Sequence, residues 1–200
     1  MIYKTNLMKQ ALNDLKHLFD YKITTKKQDF LSYVRSLKPV LHEFHELINK
    51  YDGEVRMPYI KKEIQIVYVL RYFHAYWYQL YSALEAVSET IEGSKTLKIG
   101  LFCAGPAPEL IGITRFLEEH DYDFNSVEIH FFDEVSQWDF ARETFLFSNG
   151  KRELLKKNLK MNFFNHTINL TDLNDLNDLN TSSDFDVISF QNCLNEFSES

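Results

Sequence analysis

The stretch Leu97-Lys-Ile-Gly-Leu-Phe-Cys-Ala-Gly-Pro-Ala-Pro-Glu-Leu-Ile-Gly-Ile113 decides the fold of this 200-residue chain. It starts as an apolar run typical of a buried strand, passes through a turn of small residues and continues directly into a helix. Three of the six glycines and two of the four prolines of the chain lie within it. The sequence therefore predicts a strand, a tight turn and the start of a helix in immediate succession.

Small side chains in the turn leave the backbone accessible to a ligand. Ala104, Gly105 and Ala107 would let backbone N–H groups approach a bound group closely. The helix that starts at residues 106–109 has unpaired N–H groups and a partial positive charge at its first turn, which favour an anion or a carboxylate there. A plain connection from strand to helix would use the same residue types, so the turn alone leaves both interpretations open.

A second predicted strand ends in acidic residues. The segment Val127-Glu-Ile-His-Phe-Phe-Asp-Glu134 alternates in hydropathy and places Asp133 at the carboxyl end of the strand. In open α/β sheets ligands bind outside the carboxyl ends of the strands, and an acid after the second strand commonly accepts hydrogen bonds from ribose hydroxyls. Acids also simply end strands, so a purely structural role for Asp133 stays open.

Two further strands are predicted in the last third of the chain. Residues 161–170 form a candidate third strand, and Asp184-Phe-Asp-Val-Ile-Ser-Phe-Gln-Asn-Cys-Leu-Asn-Glu-Phe197 is a short apolar strand followed by amide and carboxylate side chains. Between them, residues 171–180 repeat Asp, Leu and Asn. The repeat favours a surface loop over a calcium site, because the glycine and the closing glutamate of a calcium loop are missing.

The ordered set Cys-Ala-Gly-Pro-Ala-Pro-Glu-Leu, Phe-Phe-Asp-Glu and Asp-Val-Ile-Ser-Phe-Gln-Asn-Cys-Leu-Asn-Glu resembles class I S-adenosylmethionine-dependent methyltransferases, over residues 97–200. The resemblance implies an α/β fold with a Rossmann-like parallel sheet, of which the chain holds the first four strands. It implies S-adenosylmethionine as the cofactor and transfer of its methyl group to an acceptor that the sequence does not identify.

The resemblance also assigns roles to individual residues. The loop after the first strand would cradle the methionine part of the cofactor, and the acid that closes the second strand would hold the ribose. The polar stretch after the fourth strand, which includes Gln191 and Asn195, would place Asn192 and Glu196 beside the methyl group and the acceptor as candidate catalytic residues. The candidate cofactor-binding residues are Cys103, Ala104, Gly105, Ala107, Glu109 and Asp133.

The loop departs from the family pattern of an acid and three glycines at alternate positions. The chain has Leu101, Cys103, Gly105 and Ala107 there, so only the middle glycine is present. Leu101 cannot replace the acid that helps to hold the cofactor's amino group, which leaves weak binding, a displaced contact through Glu109 and lost activity open. The alternative hypothesis is a non-catalytic methyltransferase-like scaffold that docks another protein. A nicotinamide-binding loop fits less well, because a complete Gly-x-Gly-x-x-Gly pattern is absent.

Upstream of Lys95 the sequence predicts helices only, near residues 3–20, 27–51 and 57–92. We therefore divide the chain into a helical segment at 1–94 and an α/β domain at 95–200. An apolar, aromatic face on the third helix favours packing against the α/β domain, with a lid over an apolar pocket as the alternative. The aromatic residues of this face are Tyr72, Phe73, Tyr76, Trp77, Tyr78 and Tyr81.

Histidines and cysteines give no metal-binding pattern. His42 and His45 share one helix face but have no acid or cysteine at ligand spacing, so a solvated or packing role is expected. His74, or a tyrosine beside it, would act as a general base if the helices cover the pocket. The two cysteines, Cys103 and Cys193, are expected to be buried thiols rather than a disulfide pair.

Composition restricts the class of protein. With 44% apolar and 26% charged residues the chain can bury a sizeable core, and its net charge of −7 argues against broad contact with nucleic acid. The residues from Met1 to Asn6 have no long apolar core of the kind found in a signal peptide, and no apolar run reaches the roughly 18 residues that a membrane span needs, so we expect a cytoplasmic protein without membrane contact.

The predicted fourth strand is followed by only ten residues, whereas the family fold continues with three more strands. We expect the chain to be a truncated portion of a longer enzyme. The alternatives are that the N-terminal helices or a partner chain cover the exposed sheet edge.

Overall fold

Helices precede a small sheet and pack against one of its faces in the computed structural model, which describes residues 30–49, 58–91, 95–120, 124–138, 142, 159–170, 172, 174–175 and 184–191. The helices are α1 (Phe30–Ser36), α2 (Lys38–Asn49), α3 (Lys62–Ala86) and α4 (Glu109–Glu119), with 3-10 turns at Ser88–Thr90 and Ser136–Trp138. The strands are β1 (Thr96–Phe102), β2 (Ser126–Asp133), β3 (Lys160–Thr167) and β4 (Val187–Phe190).

The four strands form one parallel sheet in the order β3-β2-β1-β4. The chain builds outward from β1 to β3 and then returns to the other side of β1, so the winding reverses between β1 and β4. Open sheets of this kind bind ligands at the carboxyl ends of the strands near that reversal. The predicted α/β class with a parallel sheet is confirmed, and the strand order is consistent with a Rossmann-like arrangement.

One face of the sheet packs against α3 and α4. Side chains alternate along a strand, so every second residue of β1 and β2 points to this face and is buried there. Trp77 of α3 and Phe116 of α4 belong to the same hydrophobic cluster, which means that α3 shares its core with the sheet. The buried strand residues of this face are Leu97, Ile99, Leu101, Val127, Ile129 and Phe131.

The other face carries a row of stacked aromatic rings across all four strands. Phe102 stacks on Phe132 at 4.5 Å and on Phe190 at 4.6 Å between ring centroids, and Phe132 stacks on His166 at 4.5 Å. His130 Nδ1 lies 3.0 Å from His166 Nε2, so one ring donates its N–H to the other. Burial lowers the pKa of both histidines, which keeps the pair neutral at neutral pH.

The helices α3 and α4 cross at Gly112. A Cβ on this residue would lie 2.3 Å from the carbonyl oxygen of Trp77 and 3.0 Å from the backbone nitrogen of Tyr81. Any side chain larger than hydrogen would therefore force the two helices apart. Tyr81 also donates to Glu119 Oε2 at 2.5 Å, and this bond ties α3 to the last turn of α4.

The N-terminal helices differ in detail from the prediction. The helix predicted at 27–51 is two helices separated at Leu37, because Pro39 in the first turn of α2 has no N–H for the helical ladder; Leu37 still donates to the carbonyl oxygen of Tyr33 at 3.2 Å and accepts from Leu41 at 2.9 Å. His42 and His45 are exposed on α2. The prediction that no acid lies at ligand spacing was wrong for Glu46, which is one helical turn from His42 and whose Oε1 lies 3.4 Å from His42 Nε2.

Some predictions fall outside the described residues. These are the helix at 3–20, Cys193, the side chain of His74 and most of the repeat at 171–180. Within the part of the chain that is described, no helix is long and apolar enough to cross a membrane.

Candidate functional site

The β1 loop (residues 103–108) connects β1 to α4 and has a left-handed backbone at every second residue. The φ angles are +51° at Cys103, +49° at Gly105 and +54° at Ala107. These are the three positions at which the resembled family has glycine. A left-handed backbone costs an L-residue about 1–2 kcal/mol, so the chain keeps a glycine-type path at two positions where it is unfavourable.

The β1 loop is buried and anchored to the neighbouring strand. Ala104 and Ala107 are 2% and 0% exposed. Ala107 N–H donates to the carbonyl oxygen of Ala104 at 2.7 Å. Ala104 N–H donates to the carbonyl oxygen of Phe132, in β2, at 3.1 Å. Trp138 lies over the loop, because a Cβ on Gly105 would come within 3.8 Å of its indole ring.

Asp133 closes β2 and is bonded to the β1 loop. Its Oδ2 accepts the N–H of Gly105 at 2.7 Å, and its Oδ1 accepts the N–H of Val135 at 2.9 Å. The side chain is 11% exposed, and each carboxylate oxygen has a second lone pair for a further donor. Burial raises the pKa of Asp133, and the N–H groups of Val135 and Gly105, with Arg142, oppose that rise.

Arg142 is a site residue that the sequence did not reveal. Its side chain is buried, and its Nε donates to the carbonyl oxygen of Gly105 at 2.7 Å while its Nη1 donates to Asn165 Oδ1 at 3.1 Å. Nη2 lies 3.9 Å from Asp133 Oδ2, and the guanidinium carbon lies 5.4 Å from the centroid of the Phe131 ring. The only signal in the sequence is one arginine in an aromatic segment soon after the acid.

Glu109 begins α4 and faces the protein interior. It is 5% exposed, and its Oε1 accepts the amide N–H of Gln191 at 3.2 Å when that amide is oriented so that its oxygen meets a donor. Its Oε2 has no hydrogen-bond partner within the described part of the chain. Burial raises the pKa of Glu109 to about 8, so the carboxyl group is protonated at neutral pH.

Gln191, directly after β4, joins α3 to the start of α4. In the same orientation its amide also donates to the carbonyl oxygen of Tyr76 and accepts the N–H of Leu80, each at 3.1 Å. The candidate catalytic residues Asn192 and Glu196, like Asn195, lie outside the described residues.

A cavity of about 540 Å³ lies between α3 and β4. Its lining is mainly apolar, and among the described strands β4 is paired with β1 alone, so its other edge borders this cavity. The exposed fractions of Ile188 and Phe190 are 55% and 45%. The main lining residues are Leu80, Leu84, Val87, Val187, Phe190 and Gln191.

The chain matches no protein-family model, no curated protein and no solved structure. The geometry at the carboxyl ends of the strands is therefore the basis for a functional assignment.

The structure brings five of the six predicted cofactor residues to one edge of the sheet. Cys103, Ala104, Gly105 and Ala107 form the β1 loop, and Asp133 is bonded to it. The sixth, Glu109, starts the helix that follows but turns its carboxyl group toward Gln191. Within the described ranges, no three His, Cys, Asp or Glu side chains are grouped to hold a metal ion. Such an edge can hold a ligand that carries hydroxyl donors, through Asp133.

Proposed function

We propose that this chain binds S-adenosylmethionine at the carboxyl ends of β1 and β2 and transfers its methyl group to an acceptor. The observation that carries the proposal is the left-handed backbone at Cys103, Gly105 and Ala107. A simple connection between a strand and a helix has no need for this path at a cysteine and an alanine. Because a left-handed backbone is unfavourable at Cys103 and Ala107, its presence there favours a loop whose shape is required for binding a ligand.

The residues at the carboxyl ends of these strands fit the cofactor in one respect. Asp133 ends β2 and keeps free lone pairs for a ribose diol. Ala104 and Gly105 carry little side chain, but both are buried and Trp138 lies over Gly105, so the expected access of a ligand to the loop backbone is not seen in the described residues. Leu101 does not fit the cofactor either: it is 1% exposed in the core, and its apolar side chain cannot bind the cofactor's amino group.

The cofactor, when bound, supplies an electrophilic methyl group that an acceptor atom takes by direct displacement. The contribution of the chain is to bind and orient the two reactants, since alignment of donor and acceptor lowers the barrier of such a step. Asp133 and the β1 loop would fix the donor. Asn192 and Glu196 stay proposed for the acceptor side.

A methyltransferase-like scaffold without catalysis is the second candidate. It is favoured by Leu101 and Cys103 in the loop, and by the fact that both oxygens of Asp133 already accept backbone N–H groups. In this case Asp133 would only join the β1 loop to β2.

Calorimetric titration with S-adenosylmethionine and S-adenosylhomocysteine separates the two candidates. We expect micromolar binding that Asp133→Asn weakens by about tenfold or more, because the amide is a poorer acceptor for the ribose hydroxyls. The matched control is Asp186→Asn, which alters a similar bond, Oδ2 to the N–H of Lys98 at 2.7 Å, at the opposite end of the sheet.

Two results would contradict the enzyme proposal. The first is a folded wild-type chain that binds neither compound, which favours the scaffold. The second is equal loss of binding in both aspartate variants, because that would place the effect outside the proposed site.

A further inference from the structure

We infer that Arg142 is the positioning residue that sets the shape of the β1 loop for ligand binding. For the identity of the ligand, this role rests on the proposed function. The geometry of one guanidinium group carries it: Arg142 contacts the ends of three neighbouring strands through Gly105, Asp133 and Asn165.

Gly105 is held from both sides. Its N–H donates to Asp133 Oδ2 at 2.7 Å, and its carbonyl oxygen accepts from Arg142 Nε at 2.7 Å. The two side chains that bind Gly105 also approach each other, since Arg142 Nη2 lies 3.9 Å from Asp133 Oδ2. The N–H and the carbonyl group of Gly105 are therefore each bonded to a side chain of opposite charge, one to Asp133 and the other to Arg142.

The remaining contacts orient the guanidinium plane. Asn165 of β3 accepts from Nη1 at 3.1 Å, and the ring of Phe131 lies beneath the group, with its centroid 5.4 Å from the guanidinium carbon. A lysine ammonium is a point charge and cannot reproduce this fork of donors. The geometry requires arginine, and not merely a positive charge.

The charge of Arg142 also acts on Asp133. Burial and the nearby Glu134 raise the pKa of Asp133, while Arg142 and the two backbone N–H groups lower it. Arg142 likewise opposes the raised pKa of Glu109, the other buried acid beside the β1 loop. Without the guanidinium, Asp133 takes up a proton at a higher pH, and a protonated carboxyl group has fewer lone pairs for a ribose.

Two readouts test the role in Arg142→Gln, with Arg35→Gln, an exposed arginine of α1, as the matched control. The first is hydrogen exchange of the Gly105 amide, which we expect to become about tenfold faster or more in Arg142→Gln alone. The second is the Kd for S-adenosylhomocysteine, which we expect to weaken about tenfold to hundredfold at about pH 7 and by a larger factor at about pH 5, a range in which Glu109 stays protonated.

The pH profile distinguishes positioning from a merely structural role. A loss of affinity in Arg142→Gln that is the same at both pH values, or unchanged Gly105 exchange, overturns the inference. If the wild-type chain binds no S-adenosylhomocysteine, the proposed function fails, and Gly105 exchange alone then decides whether Arg142 positions the loop.

A milder variant covers the case in which Arg142→Gln does not fold. Asn165→Ala removes one acceptor of the guanidinium and keeps its charge. We expect faster Gly105 exchange and a weaker Kd, with the pH profile of the wild-type chain. Wild-type exchange at Gly105 in this variant overturns the inference.

Discussion

Cys103 is a half-buried residue in a backbone conformation that suits glycine, with φ at +51°. The conformation predicts an unusual order of stability at this position. Glycine relieves the strain, whereas a β-branched side chain increases it, because such residues are rarely found with positive φ. We therefore expect Cys103→Gly to be at least as stable as the wild-type chain and Cys103→Val to be about 2 kcal/mol less stable than Cys103→Gly.

Urea unfolding of the two Cys103 variants measures this difference. In an ordinary extended loop the valine variant would be the more stable of the two, since glycine loses more backbone entropy on folding. A valine variant that is as stable as the glycine variant would contradict the left-handed backbone at Cys103.

Glu109 gives the stability of the protein a specific dependence on pH. Its pKa is about 8 in the folded chain against 4.5 as the ordinary value, so between these pH values the folded state holds a proton that the unfolded state has released. The free energy of unfolding therefore falls as the pH rises through this window, by up to about 1.4 kcal/mol per pH unit from this group. Glu109→Gln removes this contribution, because an amide does not ionise.

We expect the stability advantage of Glu109→Gln over the wild-type chain to grow from about pH 5 to about pH 8 in urea unfolding. Glu89→Gln, an exposed residue of the Ser88–Thr90 turn, serves as the control and should leave the pH dependence unchanged. Parallel pH profiles for Glu109→Gln and the wild-type chain would show that the carboxyl group is not buried as described.

At the level of elements, the contact between α3 and α4 leaves no space for a side chain at Gly112. Gly112→Ala places a methyl group 2.3 Å from the carbonyl oxygen of Trp77, and a backbone atom cannot move aside as a side chain can. We expect a loss of about 1–3 kcal/mol in the free energy of unfolding, although alanine is the better helix former by about 1 kcal/mol.

Gly100→Ala is the matched control for the helix crossing. The three heavy atoms nearest to its Cβ would be ring atoms of Phe102 and Phe185, at 3.2 and 3.4 Å, and these side chains can adjust. We expect this variant to lose less stability than Gly112→Ala in thermal unfolding. The reverse order would contradict the close approach of α3 to α4.

At the scale of the whole molecule, local patterns account for the parts of the fold that the sequence predicted. The apolar run of β1, the alternation of β2 and the small residues of the β1 loop are short-range signals, so the strands and the turn could be placed before the structure. The boundary between α1 and α2 was missed, because helical periodicity continues through Leu37 and the interruption comes from Pro39 alone, which has no N–H for the helical ladder.

The candidate site was predictable only in part, because several of its contacts join residues far apart in the chain. Gly105 could be found as a loop glycine and Asp133 as the acid after β2. Their bond to Arg142 depends on how β1, β2 and β3 align, and no pattern around residue 142 indicates it. The inward direction of Glu109 likewise depends on Gln191, which follows β4.

The central claim is that the β1 loop and the end of β2 form a cofactor site, and it is tested most directly by locating the ligand on the folded chain. The measurement is a titration of the ¹⁵N-labelled protein with S-adenosylhomocysteine, followed by amide chemical shifts. We predict saturable shifts that are largest at Gly105, Ala107 and Val135, whose amides lie in the β1 loop or bond Asp133. An unchanged spectrum at high ligand concentration, or shifts confined to the cavity between α3 and β4, would contradict the account.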